Sequence, residues 1–407
     1  LGKQYILKNH RDAFDEVKDA LYLYEKDVKQ ENKALLRRFQ RLDKEHQFPS
    51  TGATLSTRNV SGFYDREATG VIRQLTKEYY VKVAVLIDSG LWDYYSSMVP
   101  EIKPLVKRRK VMANIRQSFS YIMNGINLLY KGIEDTGISI HVILTDFIVF
   151  KNKAFPHVAS EVKTIDGTKY IKAHKYLNDL NNWDTTEGVK NPKVFDLGLL
   201  FTRYKMIYDS TDDNILGVSY EFEGGVCMPG KRAAIIEARG LFWTVFTAAH
   251  ELGHVLGAVH DGAVKAKECS PMDNFIMRYS LPDIKIISSS RNPWLFSNCS
   301  VQAFKDTLKH RKCVSEPGSL YDKNEYEQYL KIEPGVAYNA SEQCRLLIGR
   351  YSTLCETAPD DVCDAMRCTY PATGECMEKL HGAAEGTECG HNKRCIKARC
   401  VSKVPGG

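Results

Sequence analysis

The first 226 residues of this 407-residue chain contain no cysteine, although 12 cysteines follow. Disulfides therefore cannot staple that part internally, and its order has to come from hydrophobic burial. No run of 18 apolar residues is free of charge either. The closest, Leu241 to Val259, carries His250, Glu251 and His254, which excludes a membrane span there. There is no Arg-Gly-Asp, so a simple integrin-binding loop has no support, and no internal repeat is visible. The net charge of +6 comes from scattered Lys and Arg and from one run, Lys107-Arg108-Arg109-Lys110. That run opens a stretch with apolar residues at Val111, Ile115, Phe119, Ile122, Ile126 and Leu129, so it reads as the solvated start of a helix rather than a nucleic-acid surface. The chain begins at Leu1 rather than Met, and the expectation is that any signal peptide has been removed or was never included.

What is present points to an exported, multi-part protein. The length favours two or three units, and 43% hydrophobic with 26% charged residues is ordinary for a chain that buries a sizeable core. Residues 227–313 hold four cysteines and residues 344–400 hold eight. With Asn-x-Ser sequons at Asn59, Asn298 and Asn339, this density favours a secreted, disulfide-bonded and glycosylated protein. Residues 1–78 read as a charged helix, Asp12 to Glu45, and then a polar loop around Pro49 and Gly52, with too few apolar residues for a core of their own.

From there the pattern alternates. Tyr80 to Asp88, Ile138 to Phe150, Phe195 to Thr202 and Ala233 to Glu237 read as buried strands. Lys107 to Gly132, Ala173 to Trp183 and Leu241 to about Gly257 read as helices. This order predicts an α/β fold with a mixed, mostly parallel sheet and long helices. Residues 316–340, with Pro317, Gly318, Pro334 and Gly335, read as a linker. Residues 341–403 read as a small loop module held by cross-links.

The chemistry concentrates in His250-Glu251-Leu252-Gly253-His254-Val255-Leu256-Gly257-Ala258-Val259-His260-Asp261. Histidines four apart on a helix project from one face and can share a metal, and Glu251 lies one step round. Gly257 can take a positive φ, end the helix and let the chain return His260 as a third ligand. Three neutral nitrogens and one open position suit a single catalytic Zn²⁺, with Glu251 as the general base toward a bound water. An inert protein that kept the ligands would not need Glu251.

These residues, with Met277 in Asn274-Phe275-Ile276-Met277, resemble the extended zinc motif and Met-turn of the metzincin proteases. Asp261 directly after the third histidine resembles the reprolysin branch (adamalysin, ADAM and ADAMTS), over about residues 79–315. The resemblance implies a zinc metalloendopeptidase with Met277 packed beneath the ligands and residues 1–78 as a propeptide tail, in which no cysteine is available to latch the zinc. Tyr279 departs from that branch; Met-x-Tyr looks like astacins, where the tyrosine supports the transition state, and a packed turn residue is the alternative. The four catalytic-domain cysteines allow three pairings, of which the resemblance implies Cys227 with Cys313 and Cys269 with Cys299. It also implies a structural Ca²⁺ held by Asp88, Asp196, the Cys313 carbonyl and Glu316, although each Asp could equally be a strand-end residue. The spacing from Gln343-Cys344-Arg345 to Arg399-Cys400-Val401 resembles the disintegrin-like, cysteine-rich module of ADAMTS proteases. The whole arrangement looks like short secreted reprolysins of arthropods such as ticks. The expected protein is an extracellular monomer that acts on protein substrates without entering membranes. The rival class is a binding protein whose cysteine-rich module does the work while the protease stays latent.

Overall fold

The computed structural model describes residues 76–403 apart from 101, 151–161, 189–194, 209, 211–214, 221–223, 280–291, 320–322, 357–361 and 378–381. The expected helix and loop before residue 76, and the Asn59 sequon, lie outside the described residues. Gln74–Gly407 forms one compact unit.

The strands alternate their side chains between two cores, and that alternation builds the sheet. In β1 (Lys77–Ile87), Val81, Val83, Val85 and Ile87 join one core while Ala84 and Leu86 join the other. β1 pairs in parallel with β2 (Ile138–Val149) and with β5 (Leu197–Thr202), and β5 pairs in parallel with β8 (Ala233–Glu237). The last position belongs to β7 (Gly217–Ser219), antiparallel to β8, giving the order β2-β1-β5-β8-β7. A small second sheet contains β3 (Lys163–Ile165), β4 (Thr168–Lys172) and β6 (Lys205–Ile207).

Helices cover both faces, as a mostly parallel sheet requires. On the first core lie α1 (Ser89–Met98), the 28-residue α2 (Pro104–Lys131) and α4 (Gly240–Val255). The apolar positions expected along α2, from Val111 to Leu129, are all buried there. On the second core lies α3 (Ala173–Thr186), through Tyr176, Leu177 and Leu180. Gly125 of α2 lets α4 approach closely, because a Cβ there would come within 2.8 Å of Val245. The Tyr130 hydroxyl donates to the Ala249 carbonyl at 2.9 Å and ties the same two helices together.

Residues 316–340 differ from the expected linker. They carry α6 (Lys323–Leu330) and α7 (Pro334–Ala337), and Tyr326 and Tyr329 are buried in the main core. Tyr121 of α2 packs edge-on against both Tyr329 and Tyr338, and Asn124 donates to the Tyr329 carbonyl at 3.0 Å. Aromatic burial explains the difference: the Pro and Gly residues shape turns between packed pieces instead of loosening the chain.

In the C-terminal part, α8 (Ala340–Leu347) is followed by a three-stranded antiparallel sheet, β9 (Glu388–Gly390), β10 (Lys393–Ile396) and β11 (Arg399–Ser402). Four disulfides hold it: Cys344–Cys368, Cys355–Cys376, Cys363–Cys395 and Cys389–Cys400. The module sits against the start of α4, where Leu347 packs on Gly240. The Tyr94 hydroxyl donates to the carbonyls of Arg345 and Leu346, and Arg203 donates to that of Leu347. These are the carbonyls a helix C-terminus leaves unpaired, and a cation there also suits the helix dipole.

Candidate active site

Helix α4 carries His250 and His254 on one face and ends at Val255, one residue past His254. Gly257 has φ +101, and the Ala258 amide bonds back to the Gly253 carbonyl at 3.0 Å, which closes the helix with a left-handed cap. The chain then returns and places His260 beside the first two rings. The three Nε2 atoms form a triangle with sides of 3.1, 3.2 and 3.2 Å.

The surroundings settle which nitrogen of two rings carries hydrogen. His250 Nδ1 lies 2.8 Å from the Ile276 carbonyl and His254 Nδ1 lies 2.9 Å from the Ala258 carbonyl. A carbonyl only accepts, so both Nδ1 atoms are donors and both Nε2 lone pairs face the triangle. Burial pushes the His250 pKa down to about 4 and that of His254 well below its ordinary value, which keeps both rings neutral near pH 7. Facing lone pairs repel unless a cation sits among them. Nitrogens held about 2.0–2.1 Å from a tetrahedral zinc lie about 3.3 Å apart, so this donor set fits zinc in both chemistry and spacing.

Glu251 is buried next to the ligands, beneath the edge strand β7. The Ser219 hydroxyl donates to Glu251 Oε2 at 2.5 Å. Gly217 leaves the space that the carboxylate fills, since a Cβ there would lie 2.6 Å from Glu251 Cγ and 2.7 Å from Cδ. Val218, between them, points into the second core, so the pleat alone directs positions 217 and 219 at the helix. Neither Gly217 nor Ser219 was singled out from sequence. A three-residue strand has too little alternation to signal itself, and only the short Gly-Val-Ser interval before a longer strand marks it.

Met277 is fully buried under the motif helix, and a Cβ on Gly253 would lie 2.6 Å from its sulfur. Its carbonyl accepts from the Asp261 amide at 2.9 Å, while the preceding carbonyl holds His250. Asp261 is buried and accepts from the Ser297 hydroxyl at 2.6 Å; Ser297 caps α5 (Asn298–Leu308). The turn around Met277 and the start of α5 thus fix the loop that carries His260. Tyr279 is 81% exposed rather than packed in the turn, and its ring stands edge-on to His260 at 5.1 Å. Cys227 is bonded to Cys313 and Cys269 to Cys299. Asn298 and Asn339 are exposed; the Ser300 of the first sequon is buried, and the Asn339 side chain caps α8.

The four residues expected to hold calcium do not come together. Asp88 caps α1 by accepting from the Leu91 amide at 2.8 Å, and it also accepts from the Tyr176 hydroxyl at 2.9 Å. Burial raises its pKa to about 6. It stands six residues along β1 from Lys82, about 20 Å at the usual strand rise. Asp196, the Cys313 carbonyl and Glu316 do converge, but on the ammonium of Lys82, and Glu316 contributes its backbone carbonyl rather than its carboxylate.

The chain is similar to known proteins over most of its length. Residues 334–401 match the family model described as ADAMTS cysteine-rich domain 2. Human A disintegrin and metalloproteinase with thrombospondin motifs 7 is 28% identical over 341 residues, 81% of this chain and 17% of that protein. Mouse A disintegrin and metalloproteinase with thrombospondin motifs 12 is 27% identical, covering 82% of this chain and 19% of that protein. Mouse A disintegrin and metalloproteinase with thrombospondin motifs 4 is 34% identical over 221 residues, 53% of this chain and 25% of that protein. The chain spans less than a fifth of the length of the first two relatives. Residues 77–292, more than half of the chain and the segment that carries all three histidines and Glu251, match the model for metallo-peptidase family M12, and the chain belongs to that family.

Proposed function

We propose that the protein is a secreted zinc-dependent endopeptidase that cleaves extracellular proteins, with Glu251 as its general base. The observation that carries this reading is the triangle of Nε2 atoms beside a buried carboxylate that is itself held in place. His250, His254 and His260 would hold the zinc. Bound there, zinc supplies Lewis acidity, lowering the pKa of a ligated water from 15.7 to about 7 and polarising a peptide carbonyl.

The remaining steps belong to the chain. Ser219 occupies Oε2 of Glu251 and restrains the carboxylate. Glu251 takes the proton from the attacking water and passes it to the departing amine, acting as base and then acid. The Ile276 and Ala258 carbonyls keep His250 and His254 in the ligand tautomer throughout. Export is supported by the twelve cysteines, all paired in six disulfides, a state that persists in oxidising compartments. Among the described residues no helix is long and apolar enough to cross a membrane.

The Glu251→Ala variant tests the assignment. It should retain one zinc per chain by metal analysis, because the histidines set affinity, while turnover of a peptide falls about 10² to 10⁴-fold, the usual range for loss of a general base. More than a tenth of wild-type activity in the variant would remove Glu251 from that role.

A further inference from the structure

A lysine among the buried apolar residues of a strand requires a reason. Lys82 is 9% exposed between Val81 and Val83, both fully buried. Its ammonium lies 3.0 Å from Asp196 Oδ2, 2.6 Å from the Cys313 carbonyl and 3.4 Å from the Glu316 carbonyl. Three oxygens thus meet the three donors of an ammonium. The backbone is engaged as well, since the Lys82 amide donates to the same Asp196 oxygen at 2.9 Å and the Asp196 amide donates to the Lys82 carbonyl at 2.8 Å. Gly318, at φ +61, covers the lysine stem, and a Cβ there would lie 2.6 Å from Lys82 Cδ.

We infer that Lys82 is a tethered cation that closes the catalytic domain where a dissociable calcium ion would otherwise be needed, so that the fold has no calcium requirement at this position. A carboxylate and two backbone carbonyls are hard oxygen donors, the set that suits calcium at about 2.3–2.6 Å. An ion at that distance from the same three oxygens would overlap the ammonium nitrogen, and its two charges would repel the lysine. Only one of the two cations fits. Burial pushes the Asp196 carboxyl upward against the bonds from Lys82, so a charged carboxylate there depends on a neighbouring cation. The clamp joins distant parts of the chain: β1, the residue just before β5, and the half-cystine Cys313, whose partner Cys227 donates its amide to the Asp196 carbonyl at 2.7 Å.

The test is thermal unfolding of the zinc-loaded full chain in calcium-free buffer, with and without millimolar calcium. Wild type and Asp196→Asn should both show no calcium-dependent change in Tm. Lys82→Met, which keeps the stem and removes the charge, should melt about 10 °C lower, because one partner of a buried pair is left alone. Lys82→Glu converts the clamp into a pair of carboxylates; it should bind one calcium by equilibrium dialysis and gain about 5 °C or more at saturating calcium. A wild-type Tm that rises with calcium and loses the response in Asp196→Asn would overturn the inference, as would a Lys82→Met variant that melts like wild type.

Discussion

Adding one methyl group at Gly217 separates the chemistry of the site from its stability. The new Cβ would lie 2.6 Å from Glu251 Cγ and 2.7 Å from Cδ, whereas carbon atoms rest about 3.5–4.0 Å apart. The carboxylate therefore has to move by about 1 Å. Displacing a catalytic group by that much costs about 10²-fold in rate, close to 2.7 kcal/mol of barrier. The fold should respond less than the rate does, because the three nearest atoms all belong to the Glu251 side chain, which has to shift together with its bond from Ser219, and Ala restricts the unfolded chain more than Gly does, which is worth about 0.4–1 kcal/mol in favour of folding. The assay is kcat/KM on a fluorogenic peptide, with zinc content and Tm measured on the same preparation. The expected result for Gly217→Ala is a loss of about a hundredfold with full zinc and nearly unchanged Tm. Activity within about threefold of wild type would mean that the place of Glu251 beneath β7 is not its working position.

Two further outcomes follow from burial. Tyr326→Ala should cost about 3–5 kcal/mol by chemical denaturation, as aromatic truncations in cores do; its hydroxyl is buried without a hydrogen-bond partner among the described residues, so Tyr326→Phe should be neutral or stabilising, and a destabilised Phe variant would refute this account of the site. Burial, together with the neighbouring Glu333 carboxylate, raises Glu385 from 4.5 to about 7. The folded state then holds the proton more tightly than the unfolded one, so this group's contribution to stability falls as pH rises from about 4.5 to 7. Melting temperatures across that range should show Glu385→Gln gaining on wild type as pH rises, and parallel curves would exclude the effect.

The sheet and its helices were legible because their signals are local. Apolar runs such as Ala233–Glu237 and the spacing from Val111 to Leu129 state their burial directly. The histidine motif was legible for the same reason: a four-residue interval and a helix-ending glycine put three rings together. What escaped depended on distant partners. Lys82 resembles any polar residue in a strand until Asp196 and Cys313, 114 and 231 positions away, are brought to it. Tyr326 and Tyr329 sit among Pro, Gly and charged residues and resemble a linker until α2 offers them a surface. The edge strand β7 gives the core a single side chain, Val218, and its meaning for the site lies in what Gly217 lacks.

Tyr94 and Arg203 grip the last three carbonyls of α8, and Leu347 rests on the first residue of α4. The cysteine-rich module and the catalytic centre are therefore joined as two fixed points on one frame. For the proposed endopeptidase, any protein substrate that touched both the module and Glu251 would meet them at a separation set by that grip.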